Sequence, residues 1–132
     1  MKILLDCDVL LDVALDRQPF VELSAEVLLW AETEGDAVVA WHSLANCAYL
    51  LKDGGREFLK GLLQIVDVAP VATADAERAL ALPMSDLEDA LQAASALSAG
   101  ASFIITRNLL DYALSPVPAI SPEAFAGKLS EG

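Results

Sequence analysis

Short aliphatic runs alternating with amphipathic stretches constrain this chain more than any other feature. Ile3-Leu4-Leu5, ending at Asp6-Cys7-Asp8, reads as a buried strand, and Val9 to Leu15 has helical spacing with Asp8, Asp12 and Asp16 along one side. Pro19 suits the first turn of a second helix running to about Glu34, which Gly35-Asp36 ends. Asp36 to Trp41 is a second strand, and Ser43 caps a helix through Leu51. After the Gly54-Gly55 break comes an amphipathic helix from about Arg56 to Gln64, then a third strand, Ile65 to Val68. Thr73 to Leu82 is helical, Pro83 stops it, and Ser85 opens an Ala-rich helix from Asp86 to Ser98 that Gly100 ends. Ser102 to Thr106 is a fourth strand, and Pro118 to Ile120 a short fifth before a C-terminal helix starting near Pro122. Such alternation implies an α/β fold of three α/β/α layers, with a central four- to five-stranded parallel sheet in one domain spanning 1–132.

Composition narrows the chemistry. With 55% hydrophobic and 21% charged residues, the 132-residue chain is expected to fold rather than stay disordered. No apolar run reaches the roughly 18 residues of a membrane span, and Met1-Lys2-Ile3 lacks a secretory n-region and h-region. A cytoplasmic protein with no membrane partner is the expectation. Cys7 and Cys47, the only cysteines, read as reduced, buried thiols rather than a bridge or a metal site. With His42 as the one histidine, zinc chemistry of the Cys/His kind is disfavoured, so any metal must be held by oxygen. Twenty acidic residues against eight basic ones give a net charge of −12, which opposes generic nucleic-acid binding. Acids concentrated at a metal site, or a surface awaiting a basic partner, are the two explanations.

Several acids stand where a stable core does not need them. Ligands of open parallel sheets gather beyond the carboxyl ends of the strands, where Asp6 and Thr106-Arg107-Asn108 are both expected. A carboxylate directly after three buried aliphatics, as at Asp6, rarely serves stability. On the Ala-rich helix, Glu88, Gln92 and Ser95 mark the solvent side, whereas Asp86 and Asp89 project into the apolar arc. Burying an unpaired carboxylate is costly, so each needs a cation, a basic group or strong hydrogen bonds. Ser85 and Glu88 fit a capping box, Asp86 answers either the helix dipole or a ligand, and Asp8 either caps the first helix or joins the cluster. Asp12 and Asp16 fit a solvated face, although Asp12 is near enough to Asp8 to support it if that face turns inward. Mg²⁺ or Mn²⁺ suits such an all-oxygen site. Lys52, Arg56 and Lys60 read as a solvated, ion-paired face, Arg107 as a phosphate contact, and His42 as a bonded structural residue. Trp30, Phe58 and Trp41 read as core or dimer contacts, since no basic residues interleave them as a stacking platform requires.

Three segments carry a resemblance: Met1 to Asp12, Ser85 to Gln92 continuing through Gly100, and Ile104 to Tyr112. In order and spacing the chain resembles the PIN-domain family, particularly its bacterial VapC-like branch. The resemblance implies a metal-dependent endoribonuclease that leaves 5′-phosphate and 3′-hydroxyl ends, frequent homodimers, and a toxin role beside a small basic antitoxin. It assigns Asp6 and Asp89 to direct metal contact, with Asp8, Asp86 or Asp111 acting through water, and Asp86 and Glu88 as the extra acids of an Asp-x-Glu-Asp variant. Asn46 and Asn108 stand where many relatives place a carboxylate, and an amide oxygen there still binds metal or orients water with less charge. Asp111 is positioned to approach in place of Asn108.

Two rivals remain. A catalytically weakened PIN-fold interaction module, with a basic partner in its acidic crevice, is favoured by Asn46, Asn108 and the net charge of −12. Asp6-Cys7-Asp8 after a strand also resembles haloacid-dehalogenase-type phosphatases, although Leu10 stands where that family has Thr or Val.

Overall fold

Leu4 faces one side of a sheet and Ile3 and Leu5 the other, and all three are fully buried, so their strand has to be covered on both faces. The structure is a computed structural model and describes residues 1–131. This strand, β1 (Ile3–Leu5), is central in an all-parallel sheet with β2 (Ala37–Val39), β3 (Asp67–Val68), β4 (Phe103–Ile105) and β5 (Ala119–Ile120), in the order β3-β2-β1-β4-β5. Ile3 is in register with Ala37 on one side and Phe103 on the other. The expected α/β/α layering is what forms.

One layer holds α1 (Cys7–Ala14), α2 (Val21–Glu34), α3 (Trp41–Leu51), α4 (Gly55–Leu62) and α7 (Pro122–Glu131), packed on Ile3, Leu5, Val39 and Ile105. Trp30 and Phe125 meet edge to face there at 5.2 Å, and Phe58 packs at the margin of the same core. The other layer, α5 (Thr73–Ala81) and α6 (Leu87–Ala99), lies on Leu4, Val38 and Ile104. Ala90, Ala93, Ala94 and Ala96 are buried along α6, so the helix approaches the sheet and α5 without bulky side chains between them.

Element ends differ from the sequence reading in instructive ways. The first helix begins at Cys7, not Val9, because Asp6 rather than Asp8 is its N-cap. The third begins at Trp41, and Ser43, expected as a cap, is instead fully buried and accepts a 2.6 Å hydrogen bond from the Gln92 amide. Trp41 is 68% exposed and belongs to no core. Gln92 and Ser95 do not mark a solvent side of α6; both are buried, with Ser95 Oγ donating to the Leu91 carbonyl. Gly35 and Gly100 end α2 and α6 in left-handed backbone, as their placement implied.

The largest departure is Asp12. It is not on a solvated face but completely buried, where Arg107 grips it with two hydrogen bonds of 2.9 Å from Nε and Nη2. Ser24 Oγ donates at 3.1 Å, Arg17 lies 3.7 Å away, and the Arg107 guanidinium stacks 3.8 Å over the Phe20 ring. One pair thus ties α1, α2 and the segment after β4 together. Removing one partner of such a pair leaves the other uncompensated. We expect Asp12→Ala to cost about 3 kcal/mol in urea unfolding, with Arg107→Lys also destabilising because Lys has no bidentate fork. A loss below about 0.5 kcal/mol for Asp12→Ala, typical of surface substitutions, would remove this strap from the account.

Candidate active site

The strand order reverses between β1 and β4, and a crevice opens at the carboxyl ends of these two neighbours. Asp6 leaves β1 at that point and Thr106 leaves β4, so two residues 100 positions apart are neighbours by topology alone.

Asp6 is 6% exposed and every hydrogen bond to it is local to this crevice. Its Oδ1 accepts from the Cys7 N–H at 2.7 Å. Its Oδ2 accepts from the hydroxyls of Thr106 at 2.8 Å and Tyr112 at 3.1 Å. Burial raises the Asp6 pKa, and the three donors pull against that rise. Asp8 is held beside it, with Oδ1 accepting from the Val9 N–H and Oδ2 from the Arg107 N–H, each at 2.8 Å. Burial first, and the Asp6 charge second, push the Asp8 carboxyl up to about 6. Asp8 is thus not the cap of α1 but lies in its first turn, and its charge couples to that of Asp6.

The α6 acids arrive from the opposite layer. Asp86, not Ser85, is the N-cap, its Oδ1 accepting from the Asp89 N–H at 3.1 Å. The Ser85–Glu88 box does not form, because the helix starts one residue later than that box requires. Glu88, released from capping, accepts from the Asn46 amide at 2.8 Å. Asp89 is half-buried, with Oδ1 3.3 Å from the Tyr112 hydroxyl. Desolvation, then Asp86, Asp6 and Asp111 in turn, push its carboxyl up to about 6. Asp111 is exposed and acts on Asp89 through charge, while Asn108 contributes its backbone N–H to Thr106 Oγ1 at 3.1 Å. Arg107 presents its main chain to the site; its guanidinium is committed to Asp12. His42 is half-buried with Nε2 unpartnered, so the bonded histidine expected from sequence is absent at that nitrogen, and burial lowers its pKa.

Sequence reasoning missed Tyr112. This buried side chain places one hydroxyl between Asp6 and Asp89, and its own pKa is raised by burial and by both carboxylates. The hydroxyl owns one proton but touches two carboxylates, so with both ionised one contact sets lone pair against lone pair. That surplus of hard oxygen charge, shared by Asp6 and Asp89 across one atom's width, fits a divalent cation of the Mg²⁺ or Mn²⁺ kind. Such ions are commonly held by one or two carboxylates and several waters. Among the described residues no three His, Cys, Asp or Glu side chains converge as a ready ligand set. The fit therefore rests on Asp6 and Asp89.

The raised carboxyls predict a measurable cost. Because Asp89 has a pKa of about 6 when folded against an ordinary 3.8, the folded state holds the proton more tightly, and ionisation above about pH 6 destabilises it. Asp89→Asn is expected to stabilise the metal-free protein at pH 7.5 by about 1 kcal/mol after allowing for solvent screening. The gain should fade as pH falls through about 6 towards 4, as read by urea unfolding across that range. A mutant no more stable than wild type at pH 7.5 would mean that neither burial nor its acidic neighbours strain the Asp89 carboxylate.

With this geometry in view, the comparisons with known proteins are direct. The family model described as PIN domain matches residues 2–110. Among solved structures, the crystal structure of VapBC2 from Rickettsia felis bound to a DNA fragment from their promoter is similar at a TM-score of 0.70 and 15% identity, covering 92% of this chain and 98% of that one. The crystal structure of PAE2754 from Pyrobaculum aerophilum is similar at a TM-score of 0.59 and 17% identity, covering 100% and 91%. No curated protein matches the chain in sequence. The phosphatase alternative falls with the family match, which spans the Asp6-Cys7-Asp8 segment that suggested it. The chain belongs to the PIN-domain family.

Proposed function

We propose that this protein is a metal-dependent endoribonuclease, a cytoplasmic toxin of the VapC type that works beside a small basic antitoxin and as a homodimer. The observation that carries the reading is the pair of carboxylates, Asp6 and Asp89, flanking the single Tyr112 hydroxyl at the carboxyl edge of β1 and β4. PIN domains are generally nucleases, and the toxin–antitoxin setting is taken from the VapBC2 structure. Its antitoxin pairing also accounts for a net charge of −12, which a basic segment would offset.

In this reading Asp6 and Asp89 would hold Mg²⁺ or Mn²⁺, which when bound lowers the pKa of a water and offsets charge on the scissile phosphate. Asp6 is kept in place by Cys7, Thr106 and Tyr112, so its carboxylate needs little reorganisation before chemistry. Asp8, Asp86 and Asp111 act at one remove, orienting water and adding negative potential. Asp8 does so from a carboxyl poised near neutrality, at about 6, where it can hold or release a proton. Asn46 bonds to Glu88 and turns that acid toward the groove lined by Cys7, Asp8, Leu11, Asn46, Tyr49 and Glu88, an open space of about 320 Å³ in which substrate would lie. Arg107 supports this arrangement through its N–H on Asp8; contact of its side chain with phosphate would require leaving Asp12.

The second reading, an interaction module with weakened catalysis, has Asn46 and Asn108 in its favour, since both replace charge with an amide. One experiment separates the two. Calorimetry with Mn²⁺ should show binding to wild type that weakens about 100-fold or more in Asp6→Asn and in Asp89→Asn, with Mn²⁺-dependent RNA cleavage lost in parallel. Binding without cleavage would favour the interaction module. Cleavage that persists in both variants would overturn the site assignment.

A further inference from the structure

Cys7 and Cys47 have no part in the chemistry above, yet they are placed against each other. Cys7 opens α1 and Cys47 lies on α3, and their Sγ atoms are 3.5 Å apart with both side chains reduced. The chain has no other cysteine, so neither sulfur has a competing partner. We infer that Cys7 and Cys47 are an oxidisable pair that hydrogen peroxide converts to an intramolecular disulfide pinning α1 to α3 beside Asp6.

The geometry asks for little movement. A disulfide holds its sulfurs about 2.05 Å apart, so closure needs an approach of about 1.5 Å, which side-chain rotation and a small slide of two packed helices supply. Access is limited to one side: Cys7 is 8% exposed at the floor of the groove lined by Asp8, Asn46 and Glu88, while Cys47 is fully buried. A small neutral peroxide suits that opening, whose lining carries Arg17 as well as the two acids. One thiol takes an oxygen from peroxide to give a sulfenic acid and one water. The second sulfur then attacks it, forming the S–S bond and releasing a second water. Two thiols and one peroxide yield one disulfide and two waters. Two anchors of the candidate site move with this bond, because the Cys7 N–H holds Asp6 and Asn46, next to Cys47, holds Glu88.

The test is covalent and owes nothing to nuclease activity. Folded protein is treated with hydrogen peroxide, capped with N-ethylmaleimide before unfolding, and analysed by mass spectrometry and non-reducing digestion. The expected product is a monomer lighter by two hydrogens with the Cys7 and Cys47 peptides joined, reversed by dithiothreitol and absent in Cys47→Ser. Capping of both thiols after treatment, links formed only between molecules, or Cys7 oxidised past sulfenic acid with Cys47 still free would each overturn the proposal.

Discussion

Asp6, Asp8 and Asp12 leave bulk water together when β1 and α1 pack, and a stretch of two residues makes that burial tolerable. The Thr106 hydroxyl serves Asp6, the Arg107 N–H serves Asp8, and the Arg107 guanidinium serves Asp12. The rest of the site follows from this exchange. It fixes the end of β4 against the start of α1, and the turn after it, Leu109 to Tyr112, delivers the Tyr112 hydroxyl to the same point. Of the three acids, only Asp12 meets a full opposite charge. Asp6 and Asp8 receive hydrogen bonds only from neutral donors, which satisfy geometry without cancelling charge, and that difference sets them apart from the ion-paired Asp12.

The succession of strands and helices was readable because it rests on local signals. Three aliphatics before Asp6, the Phe103 to Ile105 run before Thr106, and glycines at 35 and 100 all state their role within a few residues. Topology then brought Asp6 and Thr106 together without further information. What sequence could not reveal is which side of a helix faces water once a second helix lies against it. Gln92 and Ser95 are polar and sit at the spacing of a solvent face, yet both are buried, Gln92 against Ser43 of α3 and Ser95 beside α5, and each finds a hydrogen bond inside. Asp12 failed for the same reason. Its burial depends on Arg107, 95 positions away, and nothing near Asp12 announces that partner. Trp41 departs in the opposite direction: of its two readings, core or dimer contact, its exposed place at the start of α3 removes the core one.

Tyr112 shows a different kind of blindness. An aromatic beside an apolar core is ordinary, and its ring does pack with Leu4, Val38 and Ile104. Its function depends on one atom at the far end of the ring, whose position is set by two elements distant in sequence. The residue combines both demands, with an apolar body closing the core and a polar tip entering the crevice.

The electrostatics of the crevice also explain why replacement of acids by amides need not empty it. Asn46 donates to Glu88, so the amide draws a carboxylate of α6 toward α3 instead of adding one of its own. Asn108 gives its backbone N–H to Thr106, leaving that hydroxyl's single proton for Asp6. The Asn46 amide therefore works by placing charge carried elsewhere, whereas Asn108 contributes its main chain. Desolvation and mutual repulsion raise the carboxyls of Asp6, Asp8 and Asp89 despite these donors, so the folded chain retains more negative charge at the crevice than its own hydrogen bonds relieve. A chain selected for stability alone would exchange one of these acids for an amide or an aliphatic. That the acids remain at the three positions nearest Tyr112 and Thr106, where the repulsion is greatest, is the physical reason to look for a cation there and not along the other acidic surfaces of the protein.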